Sequence, residues 1–173
     1  MGSEQVPKAN LKQWTQRARR RLKLVLAAAL RVTELRRLGP PALARGTEWQ
    51  VDVELTGLIR MKRLNLKYRG KNHGTDILSF PAPEVFFRNG HLGELVICAP
   101  VLERQAKEQA HSPLSELDVL LAHGVVHLLG LDHELGEREA AEMGRLEGKL
   151  LLALGRKRAS GLIGRTRSGK PLR

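Results

Sequence analysis

The sequence has few aromatic residues, one cysteine and no long apolar run. Aromatic side chains make up only 3% of the 173 residues, so a core must rest on Leu, Val, Ile and Ala. The single cysteine, Cys98, excludes an intramolecular disulfide and favours a reducing compartment. Cys98 lies in an apolar run without neighbours that would activate it, so we expect a buried structural thiol.

No apolar run approaches the length of a transmembrane helix. Residues 24–30 are apolar and follow three arginines, which faintly resembles a signal peptide. They begin late, however, and lead into a charged segment without a clear cleavage region. The sequence therefore favours neither membrane insertion nor secretion.

Basic residues outnumber acidic residues by 30 to 18, which gives a formal net charge of +12 and a pI of about 10.7. A chain this basic usually binds a polyanion, such as nucleic acid, the ribosome or an anionic membrane. Residues 155–173 hold seven basic residues and no acidic one. The other 23 basic and 18 acidic residues give residues 1–154 a net charge of +5. We interpret residues 1–154 as the folded domain and residues 155–173 as a flexible basic tail, solvated or in contact with nucleic acid.

The spacing of apolar residues predicts a single-domain α+β fold, a small mixed sheet with about five helices packed on it. Helices are predicted over residues 11–38, 57–68, 101–111, 113–129 and 137–154. Strands are predicted over residues 49–55, 77–80 and 93–99, the last two as a hairpin. Thr56 is expected to cap the second helix, and Ser112 and Pro113 to open the fourth. Helix ends are predicted at Gly39, Gly70 and Gly130.

Three of the six histidines fall within the eleven residues HGVVHLLGLDH, residues 123–133. His123 and His127 are four residues apart on a predicted helix, so both imidazoles leave one face. Gly130 permits a left-handed turn that brings His133 back as a third ligand. Three imidazoles suit one zinc ion and leave a fourth position open, as in catalytic rather than structural sites. Nickel or copper would also suit this ligand set.

Two acidic residues adjoin the third histidine. Asp132 either orients an imidazole or stabilises the turn, and Glu134 is a weaker candidate for the same roles. A lone histidine pair at this spacing is often only a polar helix face. The third histidine and the intervening glycine favour a metal site instead.

The spacing matches the zinc-protease motif HExxHxxGxxH at every fixed position but one, where Gly124 replaces glutamate. That glutamate is the general base of those proteases, and loss of a general base typically costs about 10²–10⁴-fold in rate. A standard peptidase is therefore disfavoured. Phosphodiester hydrolysis needs positive charge near the developing phosphorane oxygens, and Arg69 offers a guanidinium that matches phosphate geometry.

Four segments of the chain occur together, and in this order, in one known family. They are LNLKYRGK (residues 64–71), TDILSFP (75–81), LGELVI (92–97) and HGVVHLLGLDH (123–133). Over roughly residues 11–154, the chain resembles the YbeY family of bacterial endoribonucleases. The resemblance implies a zinc-dependent endoribonuclease specific for single strands. It implies that the protein acts in the cytoplasm, in 3′-end maturation of small-subunit (16S) rRNA and in ribosome quality control. The implied partners are single-stranded RNA, rRNA and the small ribosomal subunit.

Carried over residue by residue, the resemblance makes His123, His127 and His133 the metal ligands. It makes Arg69 the residue near the metal that engages RNA phosphate, and these four residues form the predicted catalytic set. In this family a proline usually precedes the Thr-Asp pair, whereas this chain has Gly74 there.

The loop that carries His73 is therefore expected to be more mobile than in relatives. Thr75 and Asp76 are predicted to brace a turn, and residues 79–81 to end a strand.

Two alternative functions stay open: a zincin-like peptidase with another base, and a non-catalytic assembly factor whose metal shapes an RNA-binding cleft.

Overall fold

The computed structural model describes residues 8–39, 48–87, 89–134 and 136–156. Within these residues the helices are α1 Lys8–Arg31, α2 Thr33–Leu38, α3 Leu58–Arg69, α4 Glu84–Phe87, α5 Ala99–Glu108, α6 Pro113–Leu128 and α7 Glu137–Ala153. The strands are β1 Gln50–Thr56, β2 Ile77–Pro81 and β3 His91–Cys98. Of the predicted basic tail, only residues 155 and 156 fall in the described part.

The sheet has the order β1-β3-β2, with β3 parallel to β1 and antiparallel to β2. The α+β class and the small mixed sheet are thus confirmed, as is the β2–β3 hairpin. The alternation predicted for β1 is present, since Val53 and Leu55 are buried while Asp52 is exposed. Residues of this strand therefore present one apolar side to the core.

The central strand β3 is covered by helices on both faces. Leu95 and Ile97 belong to the main apolar cluster, which also takes in side chains of α1, α6 and α7. Val96 and Cys98 point the opposite way into a smaller cluster with Met61 of α3. Because successive side chains of a strand alternate in direction, a segment buried on both faces is apolar at every position, as residues 95–98 are.

Helix α6 lies at the centre of the molecule. It contacts α1, α5, α7, β2 and β3, and twelve of its sixteen residues are buried. Ser112 caps it as predicted, because the Ser112 side chain accepts a hydrogen bond from the backbone N–H of Ser115. The surrounding core therefore fixes the position of α6, and with it the positions of His123 and His127 on this helix.

The structure corrects three predictions. The helix expected over residues 11–38 is broken at Val32, whose extended backbone (φ −86°, ψ 107°) starts α2. Val32 and Thr33 are β-branched and favour extended backbone, and Leu35 beyond the break is fully buried. Thr56 is the last residue of β1 rather than a cap, and Gly57 precedes α3 without a side-chain capping bond.

The third correction concerns the number of helices. The described residues contain seven rather than about five. The break at Val32 adds α2, and the β2–β3 connection contains α4, which at four residues is too short to show a helical period. None of the described helices is both long enough and apolar enough to cross a membrane.

Candidate metal centre

Three histidine rings meet at the carboxyl end of α6. His123 and His127 lie one helical turn apart, with ring centroids 4.6 Å from each other. The chain then turns at Gly130, whose φ of 93° suits glycine and few other residues. His133 returns to the pair, with its ring centroid 5.3 Å from that of His123 and 5.1 Å from that of His127. The structure thus brings the three predicted histidines together by the predicted turn.

The arrangement of the ring nitrogens fits a metal ion. One nitrogen from each of the three histidines lies within 4.8 Å of the others. Nδ1 of His133 is 3.2 Å from Nε2 of His127. Two ligand nitrogens of a tetrahedral zinc, each about 2.0–2.1 Å from the ion, are about 3.3 Å apart. An all-imidazole donor set with this spacing is suited to zinc and to neighbouring first-row ions.

Glu147 of α7 holds the first of these histidines. Its Oε1 lies 2.5 Å from Nδ1 of His123, and the side chains of both residues are mostly buried. A carboxylate that accepts a hydrogen bond from Nδ1–H fixes the tautomer and directs Nε2 towards a metal ion. The sequence analysis missed this residue. Glu147 stands four residues after Met143 on the apolar stripe of α7, and a carboxylate in that position was the available signal.

Gly124 faces the sheet and not the metal centre. A Cβ atom at this position would lie 2.6 Å from Cδ2 of Leu95 and 2.9 Å from Cδ1 of Ile77. The glycine therefore permits close packing between α6 and the sheet. A glutamate here, the residue that zinc proteases carry at this point of the motif, would have to enter the apolar core.

Arg69 lies beside the loop that carries His133. Its guanidinium forms an ion pair with Glu134, the residue that follows His133, and Nζ of Lys71 lies 3.4 Å from the same carboxylate oxygen. Both cationic side chains are partly exposed, at 36% and 48%. The hydrogen bond from Arg69, aided by the charges of Arg69 and Lys71, lowers the pKa of Glu134. Two cations are thus held next to the third histidine.

The remaining residues of the motifs have structural partners. Asp132 accepts a hydrogen bond from the backbone N–H of Glu134 (2.9 Å), which is the turn-stabilising role. Asp76 accepts hydrogen bonds from the backbone N–H of Ile77 (2.8 Å) and from Nε2 of Gln105 (3.0 Å). The bracing role predicted for Asp76 is therefore present, since its carboxylate ties the start of β2 to α5.

The loop before β2 is tied to α3. Asn65 is fully buried and donates a hydrogen bond from Nδ2 to the carbonyl oxygen of His73 (2.8 Å). The greater mobility expected from Gly74 in this loop stays a prediction.

Cys98 is fully buried, and this burial raises the pKa of its thiol to about 11, which confirms the structural thiol.

Comparison with known proteins identifies the family. The model of the family described as Endoribonuclease YbeY matches residues 5–155. The chain belongs to this family. Among curated relatives, the endoribonuclease YbeY of Alkalilimnicola ehrlichii is 43% identical over 120 residues, which are 68% of this chain and 67% of that protein. The one from Stenotrophomonas maltophilia is 41% identical over 139 residues, 70% of this chain and 85% of that protein.

The match to some relatives is shorter. The endoribonuclease YbeY of Bdellovibrio bacteriovorus is 50% identical over 82 residues, and the chain spans about half its length, at 52%. The solution structure of TM1509 from Thermotoga maritima superposes with a TM-score of 0.52 at 23% identity, over 87% of this chain and 85% of that one. This structural likeness supports the same fold.

Proposed function

We propose that this chain is a zinc-dependent endoribonuclease that cleaves single-stranded RNA. The observation that carries the proposal is the convergence of His123, His127 and His133 next to the cationic side chains of Arg69 and Lys71. The curated relatives that bear the name endoribonuclease YbeY support the same activity. The proposed substrate is the 3′ end of small-subunit (16S) rRNA, in the cytoplasm and on the small ribosomal subunit.

The three histidines would hold the ion, and Glu147 would orient one of them. A bound zinc ion acts as a Lewis acid and lowers the pKa of water. Arg69 would bind the non-bridging oxygens of the scissile phosphate, where negative charge develops during hydrolysis. For this, its guanidinium would release the carboxylate of Glu134, to which it donates one hydrogen bond, and take up phosphate, which a guanidinium can match in a bidentate manner. Lys71 adds a second positive charge without fixed geometry.

The surroundings of the histidines favour a phosphodiester over a peptide substrate. Gly124 packs on the sheet, so the helix presents no carboxylate at the position of the protease general base. The turn that carries His133 instead has two cationic side chains beside it, Arg69 and Lys71, which share the single carboxylate of Glu134 and suit a polyanion. The net charge of +12 acts in the same direction.

The first experiment measures metal content and RNA cleavage together. Wild-type protein, His127→Ala and His91→Ala are purified, their bound metal is quantified, and each is incubated with an end-labelled single-stranded RNA and with its duplex. His91 lies at the start of β3 outside the three-histidine group, so its replacement is the matched control. We expect about one zinc per wild-type chain, and cleavage of the single strand by wild type and His91→Ala only.

The outcomes separate the alternatives. Equal cleavage by wild type and His127→Ala would assign the activity to a contaminant. Salt-dependent RNA binding that survives in His127→Ala, with no cleavage by any variant, would favour the assembly-factor function. Zinc-dependent cleavage of casein would favour a peptidase. Small subunits with an unprocessed 16S 3′ end then test the natural substrate, and we expect trimming by wild type but not by His127→Ala.

A further inference from the structure

A groove of about 460 Å³ lies between α1 and the start of α6, away from the three histidines. On the α1 side it is lined by Trp14 and by the arginines Arg17, Arg20 and Arg21, and on the other side by residues 112–114. We call it the α1/α6 groove. The proposed catalytic function uses none of these residues.

The groove carries positive charge that the described residues do not neutralise. Arg21 donates two hydrogen bonds to the fully buried carboxylate of Asp118 (2.7 and 2.6 Å), and the guanidinium of Arg156 pairs with the same carboxylate. One carboxylate thus faces two guanidiniums. Arg17 and Arg20 are exposed, and neither has an ion-pair partner within the described part of the chain.

Trp14 gives one of these arginines a defined place. The guanidinium carbon of Arg17 lies 5.3 Å from the centroid of the Trp14 ring, within the range of a cation–π contact. Trp14 itself is half-buried and packs against the main core cluster. A guanidinium supported by a fixed aromatic ring loses less freedom when it binds a ligand than a free surface arginine does.

The end of α6 adds positive potential at the same place, and the basic tail sequence begins there. The groove lies at the amino end of α6, where the helix dipole favours anions. Arg156, which also donates a hydrogen bond to Oγ of Ser115 (2.8 Å), is the first of the seven basic residues of the tail sequence. The tail therefore begins beside the groove.

We propose that the α1/α6 groove is a second RNA-binding site, which holds the sugar-phosphate backbone of single-stranded RNA. Guanidiniums bind phosphates in a bidentate manner, and an aromatic ring beside them offers a surface for a base. Along α6, the groove is about 15 Å from His123, at about 1.5 Å per residue. An RNA long enough to reach both places binds more tightly than a short one. The proposal depends on the proposed function only for RNA as the ligand.

The test compares RNA binding by two double variants. Arg17→Ser/Arg20→Ser removes the two unpaired arginines of the groove. Arg36→Ser/Arg37→Ser removes the same charge from two exposed arginines of α2 and is the matched control. All chains also carry His127→Ala, so that the RNA stays intact. Binding of single-stranded RNAs of about 4 and about 16 nucleotides is followed by fluorescence anisotropy over a range of salt concentrations.

We expect the groove variant to bind the longer RNA at least about tenfold more weakly than its parent. The slope of log K against log salt should fall by about 1.4, because each phosphate contact with a single strand contributes about 0.7. The control should retain the parent slope. Tryptophan emission gives an independent signal: Trp49 is only 4% exposed, so a change on RNA binding should come from Trp14 and be absent in Trp14→Phe.

Parent-like affinity and slope in the groove variant, or an equal loss in the control, would overturn the proposal. The groove would then serve another ligand, such as an acidic protein. The two proposals fail separately. A wild-type protein that binds RNA through the groove but never cuts it contradicts the nuclease function alone, whereas one that cuts RNA while the groove variant binds normally contradicts the second site alone.

Discussion

Glu147 and His123 form a hydrogen-bonded pair across the contact between α7 and α6, with 2.5 Å between Oε1 and Nδ1. The pair is mostly buried, so the carboxylate is held against the His123 ring. A neutral imidazole that donates from Nδ1 has its lone pair on Nε2, the nitrogen that can ligate a metal. The tautomer of His123 is therefore set before any ion binds.

Replacing Glu147 should weaken metal binding while the fold persists. Loss of a carboxylate behind a metal-ligating histidine typically costs about 10–100-fold in affinity. We expect Glu147→Gln near the lower end, because its amide oxygen still accepts from Nδ1–H, and Glu147→Ala near the upper end. Competition with a chromophoric chelator measures the zinc affinity. Glu142→Gln, on the exposed side of the same helix, is the control, and equal affinities for all variants would refute the role.

Restoring the protease glutamate should damage the protein and not create a peptidase. For Gly124→Ala, a better helix propensity of about 1 kcal/mol is outweighed by overpacking of about 1–3 kcal/mol, since the added Cβ meets Leu95 and Ile77. Gly124→Glu would bury an unpaired carboxylate, and we expect it to unfold the domain. Urea unfolding and a peptide-cleavage assay measure both effects. A stable Gly124→Glu protein would show that the position is not confined to the core.

Arg69 should matter for catalysis but little for stability. Removal of a group that stabilises transition-state charge typically costs about 10²–10³-fold, so we expect a loss of that order in kcat/KM for Arg69→Ala. Arg69→Lys should recover part of it, because the charge remains but the planar fork is lost. The free energy of unfolding should change by less than about 1 kcal/mol, as is usual for a partly exposed ion pair.

A matched control for Arg69 lies on the same helix. Arg60 of α3 also pairs with a glutamate, Glu54, and is exposed. Arg60→Ala should cleave RNA at the wild-type rate. If Arg60→Ala loses as much activity as Arg69→Ala, the effect of Arg69 comes from net charge and not from its place beside His133.

The Cys98 thiol should be unreactive in the folded protein and should make stability depend on pH in the alkaline range. Burial raises its pKa from 9.0 to about 11, so above about pH 9 the unfolded chain binds fewer protons than the folded one. Stability then falls as pH rises, by about 1 kcal/mol at about pH 10. Reactivity is measured with a thiol reagent at about pH 8. The free energy of unfolding is measured in urea at about pH 8 and at about pH 10. Cys98→Ala should lack this part of the pH dependence.

The metal centre was predictable where its geometry is local. His123 and His127 share a helix face because of their spacing, and the turn at Gly130 follows from the glycine itself. Glu147 is 24 residues from His123 and meets it only because α7 packs on α6. Tertiary contacts of this kind leave little local signal.

The features of the fold that could be predicted from the sequence are likewise those that depend on local residues. The alternation in β1 and the cap at Ser112 could be predicted because each depends on neighbouring residues. The break at Val32 was harder to predict, since the helical spacing of apolar residues continues across it to Leu35. The preference of the β-branched residues Val32 and Thr33 for extended backbone is a weak signal beside that spacing. The pairing of Asp118 with Arg21 and Arg156 is non-local.

The burial of α6 has a consequence for the identity of the ion. The core packs against most of the surface of this helix. The imidazoles of His123 and His127 are therefore held in place by the fold and do not need the ion to position them. A site of this kind, with two ligands positioned by the core, differs from a zinc finger, which folds only around its metal. Three imidazoles accept several first-row ions, and availability decides among them. If the three histidines bind zinc as proposed, we therefore expect that zinc can be exchanged for another first-row ion without unfolding of the domain.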